Sequence, residues 1–210
     1  MDKYEITVDT FNKLAGKYQE KYMDFDFYVD TYDTFCDLIS NDKAVIFEIA
    51  CGPGNITKYL LSKRSDFKIE GVDLAPKMVE LARANNPTAS FHVLDSRDIS
   101  SVTKKFDAVM CGFCTPYLSK EDVAKLIIDI RALLKTNGIL YLSTMEGDYE
   151  KSDFQTSSDG DQVYIHYHQL DFLKLHLDAN RFRVVDIKRK AFPVKNGVPT
   201  TDLFIFAQAY

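Results

Sequence analysis

Between residues 45 and 55 the chain reads Val45-Ile-Phe-Glu-Ile-Ala-Cys-Gly-Pro-Gly-Asn55, an apolar run that breaks abruptly into glycines. Its β-branched, apolar first half is typical of a fully buried parallel strand. Gly52 and Gly54 favour a tight turn that brings the backbone close to a ligand, and a helix starting at Asn55 would point its N–H groups at the same place. Glu48 interrupts the apolar pattern, and a buried carboxylate needs a partner or a ligand. We therefore expect strand, turn and helix around a small polar ligand.

Strand and helix patterns alternate after this stretch, which predicts right-handed βαβ crossovers. We expect a Rossmann-like, doubly wound α/β fold with a seven-stranded, mostly parallel sheet and helices on both faces. The last strand should be antiparallel, because a short loop with Pro193, Asn196-Gly197 and Pro199 joins the final pair without a helix. The further strands are predicted at residues 67–72, 90–94, 106–110, 138–143, 182–187 and 203–207. The helices are predicted at 55–63, from Pro76 to Asn85, from a Ser119 cap to Asn137-Gly138, and from Leu170 to Asn180, which should be left-handed.

Two more helices are predicted before the first strand. A stripe from Phe11 to Tyr22 has helical spacing, with Asp9 or Thr10 as its cap, and a second stripe covers residues 28–39. We interpret the chain as a single domain, 1–210. Within it we distinguish N-terminal lid helices (1–43), a ligand-binding core (44–145), a candidate substrate loop and strand (146–168), and a C-terminal helix with the last strand pair (169–210).

The segment 147–161 is polar and too long for a simple connection, so it is either a mobile lid or a solvated loop. Asp159-Gly160 is a turn signal, and residues 163–167 can form a strand after it. On that strand the period-two alternation would place Tyr164, His166 and His168 on one face.

Composition excludes several classes of protein. The formal charge of −5 comes from 31 acidic and 26 basic residues without long runs, which argues against nucleic acid as a partner. The first residues lack the charged-then-apolar pattern of a signal peptide, and no apolar run approaches the ~18 residues of a membrane span. We therefore expect a cytoplasmic location without membrane association. The four cysteines are expected to be free thiols. Cys111 and Cys114 form an isolated Cys-x-x-Cys motif, which argues against a metal site.

Acidic residues end three successive predicted strands: Glu48, Asp73 and Asp95. The carboxyl ends of parallel strands share one edge of a sheet, where ligands bind, so we expect these acids to converge there. A dinucleotide site would need Gly-x-Gly-x-x-Gly, but Thr57 occupies the third glycine position. Glu48 would also repel a phosphate at short range. A ligand with a cationic end fits better.

These features together resemble a class I S-adenosylmethionine-dependent methyltransferase. The resemblance rests on Glu48-Ile-Ala50-Cys-Gly52-Pro-Gly54, on the acids Asp73 and Asp95, and on the antiparallel last strand, and it covers residues 44–145. The family's first glycine is Ala50 here, which should narrow the turn without abolishing it. S-adenosylmethionine is the implied cofactor.

The resemblance also implies a role for each matching residue. Glu48 would orient the methionine end of the cofactor, Gly52 would let the backbone pass beneath it, and Asp73 would hold both ribose hydroxyls. Leu74 and Met78 would flank the adenine. Asp95 would accept a hydrogen bond from the adenine amino group, and Ser96 would offer a backbone donor. The other implied cofactor-binding residues are Ala50, Gly54 and Asn55 in the turn, Cys111, Gly112 and Phe113 along the methionine portion, and Tyr18 from the lid helix.

Methyl transfer is an in-line displacement in which positioning supplies much of the rate, so few catalytic groups are expected. If a base is needed, the candidates are His166, His168, Glu146 and Tyr117.

Thr115-Pro-Tyr117 departs from the Asn/Asp-Pro-Pro-Tyr motif of amino-directed DNA methyltransferases. Residues 95–98 and 111–118 are instead similar to segments of small-molecule N-methyltransferases, including those acting on amino sugars. We expect a small-molecule acceptor, with an amine favoured over a hydroxyl. An NAD(P)-dependent oxidoreductase and a non-catalytic cofactor-binding module are the alternatives, and the oligomeric state is open.

Overall fold

The structure is a computed structural model that describes residues 2–192 and 200–210. In these two ranges the helices are α1 Lys3–Tyr22, α2 Val29–Leu38, α3 Asn55–Lys63, α4 Pro76–Asn85, α5 Lys120–Leu133 and α6 Leu170–Ala179. The strands are β1 Val45–Ile49, β2 Lys68–Asp73, β3 Ser90–Val93, β4 Phe106–Cys111, β5 Leu134–Glu146, β6 Asp153–Thr156, β7 Gln162–Ile165, β8 Phe182–Phe192 and β9 Thr200–Ala209. The predicted loop at Pro193, Asn196-Gly197 and Pro199 lies outside the described residues.

Seven strands form one sheet in the order β3-β2-β1-β4-β5-β9-β8. The first five pair in parallel, whereas β9 runs antiparallel to both of its neighbours. This confirms the predicted seven-stranded, mostly parallel, doubly wound sheet. The chain winds outward in both directions from β1 and β4, so a crevice opens at the carboxyl ends of these two strands.

Apolar residues cover both faces of the sheet, because successive side chains of a strand point to opposite sides. On one face Phe47 and Val109 pack with residues of α5 and α6, and on the other Ile46 and Met110 pack with residues of α2 and α3. Helices therefore lie on both faces, as predicted. No helix in the described ranges is long and apolar enough to cross a membrane.

The junction between α5 and β5 differs from the prediction. The helix ends at Leu133 rather than at Asn137-Gly138, and the strand begins at once. Leu134 pairs with Phe106, but the next pair joins Ile139 to Ala108, so the strand carries extra residues there. Asn137 has a φ of 63° in this irregular part. The Asn-Gly signal therefore marks a bulge inside the strand, where left-handed backbone is common, and not the end of the helix.

Helix α1 begins earlier than predicted. Asp2 is its N-cap, and the Asp2 backbone N–H donates to Glu5 Oε2 at 3.1 Å, as in a capping box. The predicted caps Asp9 and Thr10 therefore lie inside the helix. At the other end of the chain the left-handed residue after α6 is Arg181 (φ 58°), and Asn180 has a φ of −105°.

Part of the predicted lid or loop at residues 147–161 forms a hairpin separate from the large sheet. Strands β6 and β7 pair antiparallel, and the Ser157 N–H donates to the Asp161 carbonyl at 2.8 Å around the turn. Gly160 has a φ of 83°, which confirms the turn signal at Asp159-Gly160. The β6 side chains are exposed and polar apart from Phe154, so no apolar pattern indicated this strand.

Candidate active site

Two adjoining cavities lie at the carboxyl ends of β1 and β4. The small cavity has a volume of about 140 Å³ and the large cavity about 720 Å³. The two share a boundary, which is formed by Phe11, Tyr18, Ala50, Gly52, Gly112, Phe113 and Tyr117. A volume of several hundred Å³ is typical of a small-molecule site.

The turn after β1 passes three times through left-handed backbone. Ala50 has a φ of 56°, Gly52 of 53° and Gly54 of 80°. A Cβ on Gly54 would overlap the Asn86 amide nitrogen and lie 3.2 Å from the Ala82 Cα, so only glycine fits there. Ala50 keeps the glycine-like conformation at a cost of about 1–2 kcal/mol for an L-residue. The alanine therefore retains the turn, as expected.

Glu48 lies in the core beside the first turn of α3. It is 1% exposed, its Oε2 accepts a hydrogen bond from the Thr57 hydroxyl, and its Oε1 has no partner among the described residues. Burial raises the pKa of this carboxyl to about 8. Glu48 lines neither cavity, so its direct contact with a ligand stays a prediction. Thr57, which excludes the dinucleotide motif, holds the carboxyl in place.

Asp73 at the end of β2 lines the small cavity. Its Oδ2 accepts from the Gly52 N–H and its Oδ1 from the Ala75 N–H, both at 2.9 Å, and burial raises its pKa. Two backbone donors thus fix the orientation of the carboxylate. Each oxygen keeps a second lone pair that can accept from a ligand hydroxyl.

Asp95, after β3, also lines the small cavity and forms a two-pronged ion pair with Arg97. Burial acts to raise the pKa of Asp95, but its hydrogen bonds to Arg97 outweigh burial and hold the pKa below the usual value. Arg97 also stacks 4.4 Å from the ring centre of Tyr4. The walls of this cavity include the expected residues Leu74, Met78 and Ser96.

The segment after β4 separates the cavities. Gly112 and Phe113 line both of them, whereas Cys111 is buried behind them and lines neither. Phe113 has a φ of 52°, and its N–H donates to Ser143 Oγ at 2.9 Å, which fixes the turn. All four cysteines are free thiols, and the described residues contain no metal-ligating cluster.

Helix α1 and the β6–β7 hairpin cover the site together. Lys13 Nζ lies 2.6 Å from Asp161 Oδ1, Lys17 Nζ lies 3.3 Å from Asp159 Oδ2, and Thr10 Oγ1 donates to a β7 carbonyl at 2.7 Å. Tyr18 of this helix lines both cavities, as does Tyr117, and Asn55 lines the large one. Burial raises the pKa of both tyrosines, so their hydroxyls are protonated at neutral pH and can donate hydrogen bonds.

The histidines expected as bases lie outside both cavities. His166 is 2% exposed, neither of its ring nitrogens has a partner among the described residues, and its ring stacks on Tyr149 at 5.6 Å. Burial lowers its pKa to about 4. His168 Nε2 lies 3.0 Å from the Thr115 carbonyl. The rings of Tyr164, His166 and His168 do cluster, as the alternation indicated, but the two histidines are buried and Tyr164 is half-buried.

Glu146 is also placed away from the cavities. Both of its oxygens accept from Arg189, at 2.6 and 2.9 Å. Met145 lines the large cavity, so alternation along β5 turns Glu146 to the other face of the sheet. Of the residues expected as bases, only Tyr117 reaches the cavities.

One acid of the large cavity was not identified from the sequence. Asp202 of β9 is 3% exposed, lines the large cavity, and accepts from the Tyr28 hydroxyl at 2.6 Å. The sequence pattern predicts a strand from Leu203, whereas the strand begins at Thr200 and so includes Asp202. The available signal is an acid at the beginning of a strand predicted to be antiparallel, because the beginning of such a strand lies at the same edge of the sheet as the carboxyl ends of the parallel strands.

Comparison with known proteins agrees with this architecture. A family described as "Methyltransferase domain" matches residues 46–138. Malonyl-[acyl-carrier protein] O-methyltransferase of Acetivibrio thermocellus is 31% identical over 110 residues, which are 51% of this chain and 38% of that protein. A dTDP-3-amino-3,6-dideoxy-alpha-D-glucopyranose N,N-dimethyltransferase of Streptomyces fradiae is 37% identical over 70 residues, 33% of this chain and 26% of that protein. The chain thus spans less than half the length of these two relatives.

Solved structures show the same fold. Magnesium protoporphyrin IX methyltransferase from Synechocystis PCC 6803 with bound S-adenosylhomocysteine superposes with a TM-score of 0.76 at 16% identity, covering 100% of both chains. The 1,6-didemethyltoxoflavin-N1-methyltransferase of Burkholderia thailandensis gives 0.72 at 19% identity, covering 98% of this chain and 88% of that one. The methyltransferase domain model thus matches the chain from β1 to the irregular first part of β5, and these solved structures share its fold, which is that of a class I S-adenosylmethionine-dependent methyltransferase.

Proposed function

We propose that this chain transfers a methyl group from S-adenosylmethionine to a small-molecule acceptor, and that the acceptor atom is an amine nitrogen rather than a hydroxyl oxygen. The observation that carries the proposal is a carboxylate-bearing small cavity that opens into a larger, aromatic one. The match of residues 46–138 to a methyltransferase domain argues against a nicotinamide-dependent oxidoreductase.

The residues of the small cavity suit an adenosine group. Asp73 would accept hydrogen bonds from two ribose hydroxyls, and each such bond to a charged group contributes about 1.5–3 kcal/mol. Leu74 and Met78 offer apolar contacts on either side of a flat ring, and Asp95, held by Arg97, would accept from an exocyclic amino group. Ser96 would provide a backbone donor.

The residues at the boundary of the cavities suit the methionine portion. Gly52 and Gly112 would let the methionine portion of the cofactor approach the backbone closely. The Tyr18 hydroxyl, which lies on helix α1, can donate a hydrogen bond to the carboxylate of that portion. Bound S-adenosylmethionine supplies a methyl group activated by its sulfonium. The chain's own task is then to hold the acceptor in line with that methyl group and to exclude water. Tyr117 is placed at the boundary where it can orient the acceptor.

The large cavity would hold the acceptor. Helix α1 and the β6–β7 hairpin close it over the site, which supports a role for residues 146–168 in substrate binding. The Streptomyces fradiae relative is named for methylation of an amino group on a sugar nucleotide, which favours an amine. The net charge of −5 is unsuited to binding a polyanion.

Two measurements test the proposal. Calorimetry should detect binding of S-adenosylhomocysteine and none of NAD; the opposite pattern would overturn it. Incubation with methyl-labelled S-adenosylmethionine and a library of amines and matched alcohols should then label amines. Cofactor binding without transfer to any small molecule would instead favour a non-catalytic binding module.

The control for both measurements is Asp73→Asn, which keeps the shape of the side chain and removes its charge. It should weaken cofactor binding and slow transfer in proportion. Transfer that persists at wild-type rate in this variant would place the cofactor elsewhere.

A further inference from the structure

Asp202 is a buried acid that no step described so far uses. Its side chain lies at the wall of the large cavity with an exposed fraction of only 3%. Oδ2 accepts from the Tyr28 hydroxyl at 2.6 Å, and the described residues provide no hydrogen bond to Oδ1. A carboxylate at a cavity wall with one oxygen bonded to Tyr28 can accept a further hydrogen bond from a ligand in that cavity.

Three lysines lie opposite Asp202 or line the large cavity, and none of them pairs with Asp202. Lys21 Nζ lies 4.7 Å from the centre of the Tyr22 ring. Lys190 is opposite Asp202 in the register of β8 and β9, but its Nζ lies 2.6 Å from Asp30 Oδ1 and 2.8 Å from the Phe27 carbonyl. Lys17 also lines the large cavity, but its Nζ lies 3.3 Å from Asp159. No described lysine or arginine forms an ion pair with Asp202. The negative charge is therefore left for a ligand.

Aromatic rings surround the approach to this carboxylate. The Tyr28 ring lies 5.2 Å from the Phe113 ring and 5.5 Å from the Phe25 ring, and Phe25 lies 5.7 Å from Tyr22. Phe113 also lines the small cavity, so this wall extends from Asp202 to the boundary between the cavities. The faces of such rings attract cations, and they do so more strongly out of water.

We propose that Asp202 and the aromatic wall of Tyr22, Phe25, Tyr28 and Phe113 bind a positively charged amino group carried by the methyl acceptor. The carboxylate supplies the opposite charge and the free acceptor oxygen, and the rings supply a surface that favours a cation over a neutral polar group. Burial raises the pKa of Asp202, which is the cost that a bound cation would offset. This inference names the substrate class for the proposed function and rests on it.

The test compares matched amines and alcohols in the large cavity. Binding of tyramine and tyrosol, and of benzylamine and benzyl alcohol, is measured by NMR titration at neutral pH, with and without saturating S-adenosylhomocysteine. Each pair differs only in the charged group. The wild-type chain should bind the amines about tenfold more tightly than the alcohols, as one charge-assisted hydrogen bond predicts. Equal binding within both pairs, or no binding of either amine, would overturn the proposal.

Three variants locate the effect. Asp202→Asn should abolish the preference for amines while leaving the affinity for S-adenosylhomocysteine unchanged. Tyr28→Phe keeps the carboxylate and the ring but removes the donor to Oδ2, so it should reduce the preference for amines less than Asp202→Asn does, and an equal reduction in the two variants would contradict the proposal. Asp37→Asn removes the same charge from the exposed surface of α2 and should change nothing.

The result of the amine-preference test can be distinguished from the result of the test of the proposed function. A chain that does not bind S-adenosylhomocysteine disproves the methyltransferase proposal, although the preference for amines can still be measured without it. A chain that binds the cofactor and methylates an amine, but shows no loss of amine preference in Asp202→Asn, disproves this inference alone.

Discussion

Replacing Gly54 with alanine tests the turn that supports the site. Its φ of 80° is left-handed, which costs an L-residue about 1–2 kcal/mol. The added Cβ would also displace the Asn86 amide, which is buried and donates to the Gly54 carbonyl at 3.0 Å and to the Ala82 carbonyl at 3.3 Å. Leaving that amide unsatisfied costs about 1–3 kcal/mol. We expect Gly54→Ala to lower the free energy of unfolding by about 2–5 kcal/mol, or Tm by roughly 4–20 °C for a domain of this size.

Gly52→Ala is the matched control, two residues away in the same turn. Gly52 is also left-handed, with a φ of 53°, but a Cβ there would meet no atom closer than 3.8 Å. Its cost is therefore backbone strain alone, about 1–2 kcal/mol. Urea and thermal unfolding without cofactor measure both variants. Equal losses for the two would refute the reasoning, because the difference depends on the crowding around Gly54.

Three further predictions concern the ligand-binding groups. Asp73→Ala should weaken S-adenosylhomocysteine binding about tenfold or more in calorimetry, and it should also lower Tm, since Gly52 and Ala75 lose their acceptor; unchanged affinity contradicts the ribose assignment. Glu48 has a pKa raised from 4.5 to about 8 in the folded chain, so its contribution to stability is full below about pH 4.5 and is lost as pH rises through about 8. Glu48→Gln should accordingly match the wild-type Tm at acid pH and exceed it at pH 9, and parallel Tm profiles would count against a buried, unpaired carboxylate. Tyr18→Phe keeps the ring between the cavities and should lower cofactor affinity by about tenfold or less, the value of one hydrogen bond; an undiminished affinity places its hydroxyl away from the cofactor.

Local signals account for the parts of the fold that the sequence predicted well. Pro76 at the first turn of α4 and the Ser119 cap of α5 mark helix starts through short-range chemistry. The errors arise where distant contacts decide. Asn137-Gly138 has the same local preference at a helix end and in a bulge, and only the pairing of β5 with β4 distinguishes the two.

In the candidate site, too, the sequence predicted the features that follow from chain topology and not those that depend on packing. Acids at strand ends could be located from the sequence because parallel topology alone brings their positions to one edge, and Asp73 and Asp95 do line the small cavity. The direction of a side chain after the strand ends is set by packing. His166 therefore turns into the core, whereas Asp202, which the predicted strand does not include, lines the large cavity.

The way in which α1 rests on the β6–β7 hairpin has a kinetic consequence. The side chains of Lys17 and Asp159 are both mostly exposed, and such an ion pair contributes only about 0–1 kcal/mol and is weakened by salt. Lys13 is also mostly exposed, although its partner Asp161 is largely buried. The sheet beneath is held by a continuous apolar core, so the helix and hairpin can separate while the sheet stays folded. We expect ligand exchange to be limited by this separation and to become faster as ionic strength rises, which stopped-flow measurement of S-adenosylhomocysteine release at two salt concentrations would detect.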